Sequence, residues 1–280
     1  MAKQFRVREG DVTALDTKTQ LTTVGSDTAP GPLMVPQGMK YITAVTVACI
    51  QNMAAATGFS AFLRLEGPGL ANGPESLAAC AGGNAVATGG NYVNKAVRIP
   101  INLPVVQGNE IQIFGEMAGT DVGGLGFVVG LEFSDAAGAG SEAHKTITVE
   151  GDIGTVDARA ALLTQGSVTS PSLITPAAYT KIEKLVVAAA SEGLADGKQV
   201  WYVRLGGNSV QGGEQIIPIS ASGRIAVQAG SDAAPQCMTA LVFDDLQIAV
   251  SPSDTISVFA EGAGDDTGTG HAVVTMVFGK

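Results

Sequence analysis

The sequence predicts an all-β chain of two tandem β-sandwich domains related by internal duplication. Three observations predict it: a repeat that aligns residue by residue, an apolar period of two, and a composition dense in turn formers. In the repeat, Glu9 to Pro30 lies without a gap on Glu150 to Pro171, with ten identities in 22 positions. These include the Glu-Gly-Asp start, Asp16/Asp157, Leu21/Leu162, Thr23/Thr164, Gly25-Ser26/Gly166-Ser167 and Pro30/Pro171. A self-match of this length marks two copies of one structural unit.

After a one-residue slip the match resumes at Pro36/Pro176, Ile42/Ile182 and Val47-Ala48/Val187-Ala188. Phe62-Leu63-Arg64-Leu65 then lies over Tyr202-Val203-Arg204-Leu205, and Asn109–Glu116 over Asp254–Glu261. The middle diverges, with Ala71 to Asn94 five residues shorter than its counterpart. The expected organisation is a first domain over 1–133, a small polar linker over 134–145 and a second domain over 146–280.

The period of two is clearest in Val97, Ile99, Ile101 and Leu103, which alternate with Arg98, Pro100 and Asn102. Alternation puts one face in a core and the other toward water or a neighbour. Pro100 predicts an edge strand or a bulge, because proline cannot donate to the ladder. Trp201, Val203 and Leu205 alternate in the same way. Further strands are expected at Phe5–Arg8, Gln20–Val24, Met39–Ile50, Gly58–Glu66, Glu110–Met117 and Gly126–Phe133, echoed in the second copy. A long connection is expected from Leu70 to Asn94, and a shared turn at Glu9-Gly10-Asp11 and Glu150-Gly151-Asp152. Evenly spaced strands of this number suit an immunoglobulin-like or a jelly-roll sandwich, and the long middle connection favours the jelly roll.

Composition sets bounds on function. The 37 glycines and 12 prolines punctuate a chain that is 45% hydrophobic and only 15% charged, which describes a packed core with many turns. A net charge of −10 with 16 Lys and Arg argues against a surface that grips nucleic-acid phosphate. The N-terminal residues carry no apolar leader and no long apolar segment follows, so synthesis and folding in the cytoplasm are expected.

No residue set predicts catalysis, a cofactor or a metal. Cys49, Cys80 and Cys237 are odd in number and lack metal spacing, and Cys49 in an apolar run reads as a core residue. His144, in the expected linker, and His271 are too few for a metal-dependent cupin site. Asp266-Thr267-Gly268, opposite Asp121-Val122-Gly123, has the letters of an aspartic-protease loop but follows glycines late in the copy, not an apolar strand. It reads as a solvated turn, and Asp265, Asp266 and Asp121 supply oxygens for calcium without a recognised spacing. Arg64 and Arg204 are repeat equivalents in mid-strand, suited to a paired charge or a contact between subunits. The chain is expected not to be an enzyme.

Two fused jelly-roll-sized domains, a small polar linker and an apolar, glycine-rich body together resemble the double jelly-roll major capsid proteins of icosahedral DNA viruses. The resemblance implies a structural subunit of the virion: a homotrimer within a larger shell, with other capsid proteins as further partners, no specific nucleic-acid binding and no membrane span. The alternative is an extracellular or fibre subunit of immunoglobulin-like modules.

Overall fold

The computed structural model describes residues 2–53, 58–83, 90–93, 95–119, 124–153, 157–169, 172–191, 197–224, 236–264 and 270–280. Among them the regular elements are all β-strands. In the first half the principal strands are β1 (Lys3–Val12), β2 (Thr19–Gln20), β3 (Tyr41–Met53), β4 (Gly58–Glu66), β5 (Glu75–Gly83), β6 (Val97–Pro104), β7 (Glu110–Gly119) and β8 (Leu125–Ser134). In the second they are β9 (His144–Ile153), β10 (Arg159–Ala161), β11 (Lys181–Ser191), β12 (Gly197–Gly206), β13 (Gln215–Arg224), β14 (Leu241–Phe243), β15 (Ser257–Gly264) and β16 (Gly270–Gly279).

They form four sheets. Sheet 1 runs β1-β8-β3-β6, and sheet 2 runs β2-β7-β4-β5. Sheet 3 runs β9-β16-β11-β14, and sheet 4 runs β10-β15-β12-β13, so the second pair repeats the strand order of the first. The sheets stack in numerical order. One apolar cluster runs from sheet 1 (Phe127, Val129) through sheet 2 (Leu63, Phe62, Ala78) into sheet 3 (Val186, Val273), and another fills the space between sheets 3 and 4 around Trp201, Val203 and Met276.

Residues that match in the repeat occupy matching positions in the ladders. Phe62 pairs with Glu116 as Tyr202 pairs with Glu261, and Arg64 pairs with Phe114 as Arg204 pairs with Phe259. The bulges coincide as well, between Ala61 and Phe62 and between Trp201 and Tyr202. Asp16 and Asp157 both adopt positive φ, at 50° and 58°, and their amides donate to Met117 O and Gly262 O. Pro100 lies on edge strand β6, opposite Ala44 beside a bulge, where its missing N–H leaves no ladder bond unmade.

Three sequence expectations are corrected. Glu9-Gly10-Asp11 and Glu150-Gly151-Asp152 are not turns but lie inside β1 and β9. The glycines there admit a leucine against the strand: a Cβ on Gly10 would stand 3.2 Å from Leu21 Cδ2, and one on Gly151 3.5 Å from Leu162 Cδ2. The stretch from Leu70 to Asn94 is not one long connection, since it holds β5 and the short strand Gly90–Val93. Its Glu-Ser-Leu-Ala-Ala-Cys-Ala-Gly-Gly run has no β-branched residue because β5 lies between two sheets, where Ala78, Ala81 and Cys80 are fully buried. The connection between halves spans 135–143, and His144 belongs to β9, not to a linker. This connection is pinned: Asn102 Nδ2 donates to the carbonyls of Gly138, Ala139 and Ser141 and its Oδ1 accepts from Gly138 N.

The halves differ where the sequence comparison locates the divergence. Gly90–Val93 stays with β3 in sheet 1, whereas Gln236–Thr239 crosses the junction and pairs with β5 in sheet 2. The chain then re-enters sheet 3 as β14, so this segment ties the two inner sheets together.

Candidate functional site

The densest polar chemistry lies where sheet 2 meets sheet 3. Arg64, in mid-strand on β4, donates from Nε to Glu116 Oε2 at 2.5 Å and from Nη2 to the carbonyl of Gln165 at 2.7 Å. Gln165 belongs to a hairpin in which Thr164–Gln165 pairs with Val168–Thr169. The hairpin lies against Glu116, which accepts from Ser167 N at 2.6 Å. Gly166 at its tip has φ +52°, and a Cβ there would stand 2.2 Å from Glu116 Oε1, so the hairpin needs glycine for both shape and closeness.

Two further carboxylates serve the junction. Glu150 on β9 accepts from Ser60 Oγ, Thr164 Oγ1 and Gly166 N, and burial raises its pKa despite those bonds. Glu75 on β5 accepts from Thr146 N and Oγ1 and pairs with Lys145 at 3.0 Å. Burial pushes Glu75 up to about 7, against the lowering pull of Lys145 and Thr146. Ser76 N donates to Thr146 Oγ1 and Ala78 N to Thr275 Oγ1, so β5 is also bonded to the face of sheet 3.

At the foot of the junction His144 Nδ1 accepts from Asn102 N at 2.9 Å, while Nε2 faces Glu183 Oε2 at 2.7 Å. This fixes a neutral ring with its proton on Nε2, and burial lowers its pKa. Burial would raise Glu183, but hydrogen bonds from Lys181, Ser141 and His144 outweigh it and hold the carboxyl at about 2. Beside the junction a cleft of about 370 Å³ is lined by Asp16, Glu150, Asp152, Thr164 and Gly166. Burial and the nearby Glu116 charge raise Asp16, whereas the hydrogen bond from His271 lowers Asp152.

The two ends of the stack present the counterparts of these faces. Sheet 4 carries Arg204, paired through Nε with Glu261 and through Nη1 with Glu214, which also binds Arg159. Sheet 1 exposes Phe5, Val7, Ile50 and Val128 on its outer side. The hairpin Val24–Asp27, with Gly25 at φ +54°, is the counterpart of the Gln165–Val168 turn.

Arg64 and Arg204 are thus both paired charges, and Cys49, Cys80 and Trp201 are buried. His271 is buried on β16, with Nδ1 2.7 Å from Asp152. Asp121, Asp265, Asp266 and Asp266-Thr267-Gly268 lie outside the described residues. Among the described residues no cluster of three or more His, Cys, Asp or Glu could hold a metal ion. The roles of Glu75, Glu116 and Glu150 were not foreseen, although the identities Glu9/Glu150 and Gly25-Ser26/Gly166-Ser167 pointed to two of the elements involved.

No protein-family model matches the sequence, and no curated protein matches it. Solved structures do match across nearly the whole chain. PNGase F, a glycosylasparaginase from Flavobacterium meningosepticum, is 11% identical with a TM-score of 0.41, covering 98% of this chain and 96% of that one. The major capsid protein P2 of bacteriophage PM2 is 10% identical with a TM-score of 0.29, covering 100% and 98%. An archaeal-virus protein with a triple jelly-roll fold is 12% identical with a TM-score of 0.24, covering 88% and 55%. The expectation that the chain is no enzyme is corrected by the first of these, because an enzyme stands among the matches that span the chain end to end.

Proposed function

We propose that this chain is the structural subunit of an icosahedral virus capsid, a double jelly-roll protein that self-assembles into a shell. In each half the strands lie in the order 1-8-3-6 facing 2-7-4-5, the arrangement of an eight-stranded jelly roll, which supports two such domains, the first ending with β8 at Ser134 and the second beginning with β9 at His144, joined by the pinned connection. The observation that carries the reading is the stack itself. Two like halves meet face to face, and the stack ends in sheet faces that keep large apolar side chains outward, Phe5 and Val128 at one end and Ile216 at the other. A face of this kind on a folded chain marks a surface for association.

In this reading the chain forms homotrimers that tile the shell with other capsid proteins, and the virion is its location. The test is assembly of the purified chain, read by sedimentation and negative-stain images. Trimers that build hexagonal tiles or closed shells are expected; a monomer at every concentration overturns the reading.

A further inference from the structure

We propose that a second copy of this chain docks the outer face of its sheet 4 on the outer face of sheet 1, repeating between chains the contact that sheet 2 makes with sheet 3 within one. The inference rests on the shell reading and gives it a specific surface. Repeat equivalence supplies the argument. Sheet 1 is the counterpart of sheet 3, and sheet 4 of sheet 2, in strand order and in register. Within the chain the face of sheet 3 formed by Val186, Ala188 and Val273 is buried beneath Phe62 and Ala78 of sheet 2. The equivalent positions on sheet 1 are Thr46, Ala48 and Val128, with Val128 45% exposed, and those on sheet 4 are Tyr202 and Pro218. One chain thus holds the joined form of this contact at its centre and its two unjoined halves at its ends.

The hairpin makes the match specific. Gln165-Gly166-Ser167 reaches across the junction to the Arg64–Glu116 pair, and Val24-Gly25-Ser26 is the same hairpin with the same glycine conformation, φ +54° against +52°. The same pair recurs on sheet 4 as Arg204–Glu261, at 2.5 Å in both cases. In the docked pair Arg204 uses Nη2 for the Val24 carbonyl as Arg64 uses it for Gln165, and Ser26 N–H donates to Glu261. Both are bonds to an ionised group, the stronger class of hydrogen bond.

At three positions the substitution between the copies runs from polar within the chain to apolar at its ends. Thr146, Thr148 and Ser76, polar groups of the internal junction, have as equivalents Phe5, Val7 and Ile216, which are 62%, 39% and 52% exposed. A covalently joined contact can rely on polar bonds. One between separate chains must also offset lost translational and rotational freedom, and apolar burial supplies that. The contact joins unlike faces, so it propagates head to tail until the rotation closes a ring.

The test places cysteines at two equivalents of a close internal pair. Ser76 N and Thr146 Oγ1 are 2.9 Å apart, so Phe5→Cys with Ile216→Cys brings two thiols within disulfide reach only between chains, because the two positions lie on opposite ends of one stack. Oxidation of the double variant is expected to give a ladder of covalent oligomers, with a short bis-maleimide as a second linker; neither single variant should give it. Gly25→Asn is the independent arm. Asn tolerates positive φ better than other side chains and no atom lies within 4 Å of a Cβ there, so the chain folds with at most a small fall in melting temperature. Its side chain meets Glu261 of the next copy, and association is expected to weaken at least tenfold. Assembly of the double variant without cross-links, or full assembly of Gly25→Asn, overturns the docking surface and leaves the shell reading standing. A wild-type chain that never associates overturns both.

Discussion

Arg64 Nε stands 2.5 Å from Glu116 Oε2 between neighbouring strands of sheet 2, and the Glu116 side chain is wholly buried. Removing the cation leaves that carboxylate without its partner. Arg64→Ala is therefore expected to destabilise the chain by about 3–5 kcal/mol, the usual consequence of stranding a buried charge. Arg204→Ala, at the more open equivalent pair, is expected to lose much less in the isolated chain. Urea unfolding of the two variants side by side checks the difference.

Glu75 supplies a pH dependence with a definite sign. Its folded pKa, about 7, lies above the ordinary 4.5, so its stabilising contribution is fully present below pH 4.5 and is lost as pH rises through 7. Glu75→Gln lacks this term. The stability of the wild type relative to the variant is expected to fall by on the order of 3 kcal/mol between pH 4.5 and 7.5. Denaturation across that range should show the decline; a constant difference contradicts the assignment.

Glu183 acts in the opposite sense. Held at about 2, it stabilises the chain above its ordinary 4.5, and that contribution is lost as pH falls toward 2. Glu183→Gln is expected to be less stable than the wild type at neutral pH, with the difference closing between pH 4.5 and 2. Thermal melts over that acid range read it directly.

Gly166 and Gly25 share a conformation but not an environment. Gly166→Ala puts a Cβ 2.2 Å from Glu116 Oε1 on top of the backbone strain, whereas Gly25→Ala meets nothing within 4 Å. The Gly25→Ala change is expected to lower stability by about 1–2 kcal/mol, the penalty of a left-handed alanine, and the Gly166→Ala change by clearly more. Melting temperatures of the two variants are expected to rank in that order.

The all-β class was legible because strands such as β6 and β12 bury one face, so Val97 to Leu103 and Trp201 to Leu205 alternate visibly. What escaped the sequence did so for physical reasons. Strand β5 is covered on both sides and uses alanine and glycine where sheets approach, so neither alternation nor β-branched residues announce it. The Glu-Gly-Asp pair looked like turns because glycine beside acidic residues usually marks one, yet here the glycine makes room for Leu21 and Leu162 in mid-strand. The identity of Gly25-Ser26 with Gly166-Ser167 was plain. That one hairpin lies on an Arg–Glu pair while the other stands at the end of the stack could be learned only from the packing of sheets 2 and 3.

Sedimentation of the purified wild-type chain over a wide concentration range, followed by negative-stain imaging of the heaviest species, tests the central claim most directly. The account predicts a discrete trimer that goes on to form hexagonal tiles or closed shells. A single monomeric species throughout, with no ordered particles, would contradict it.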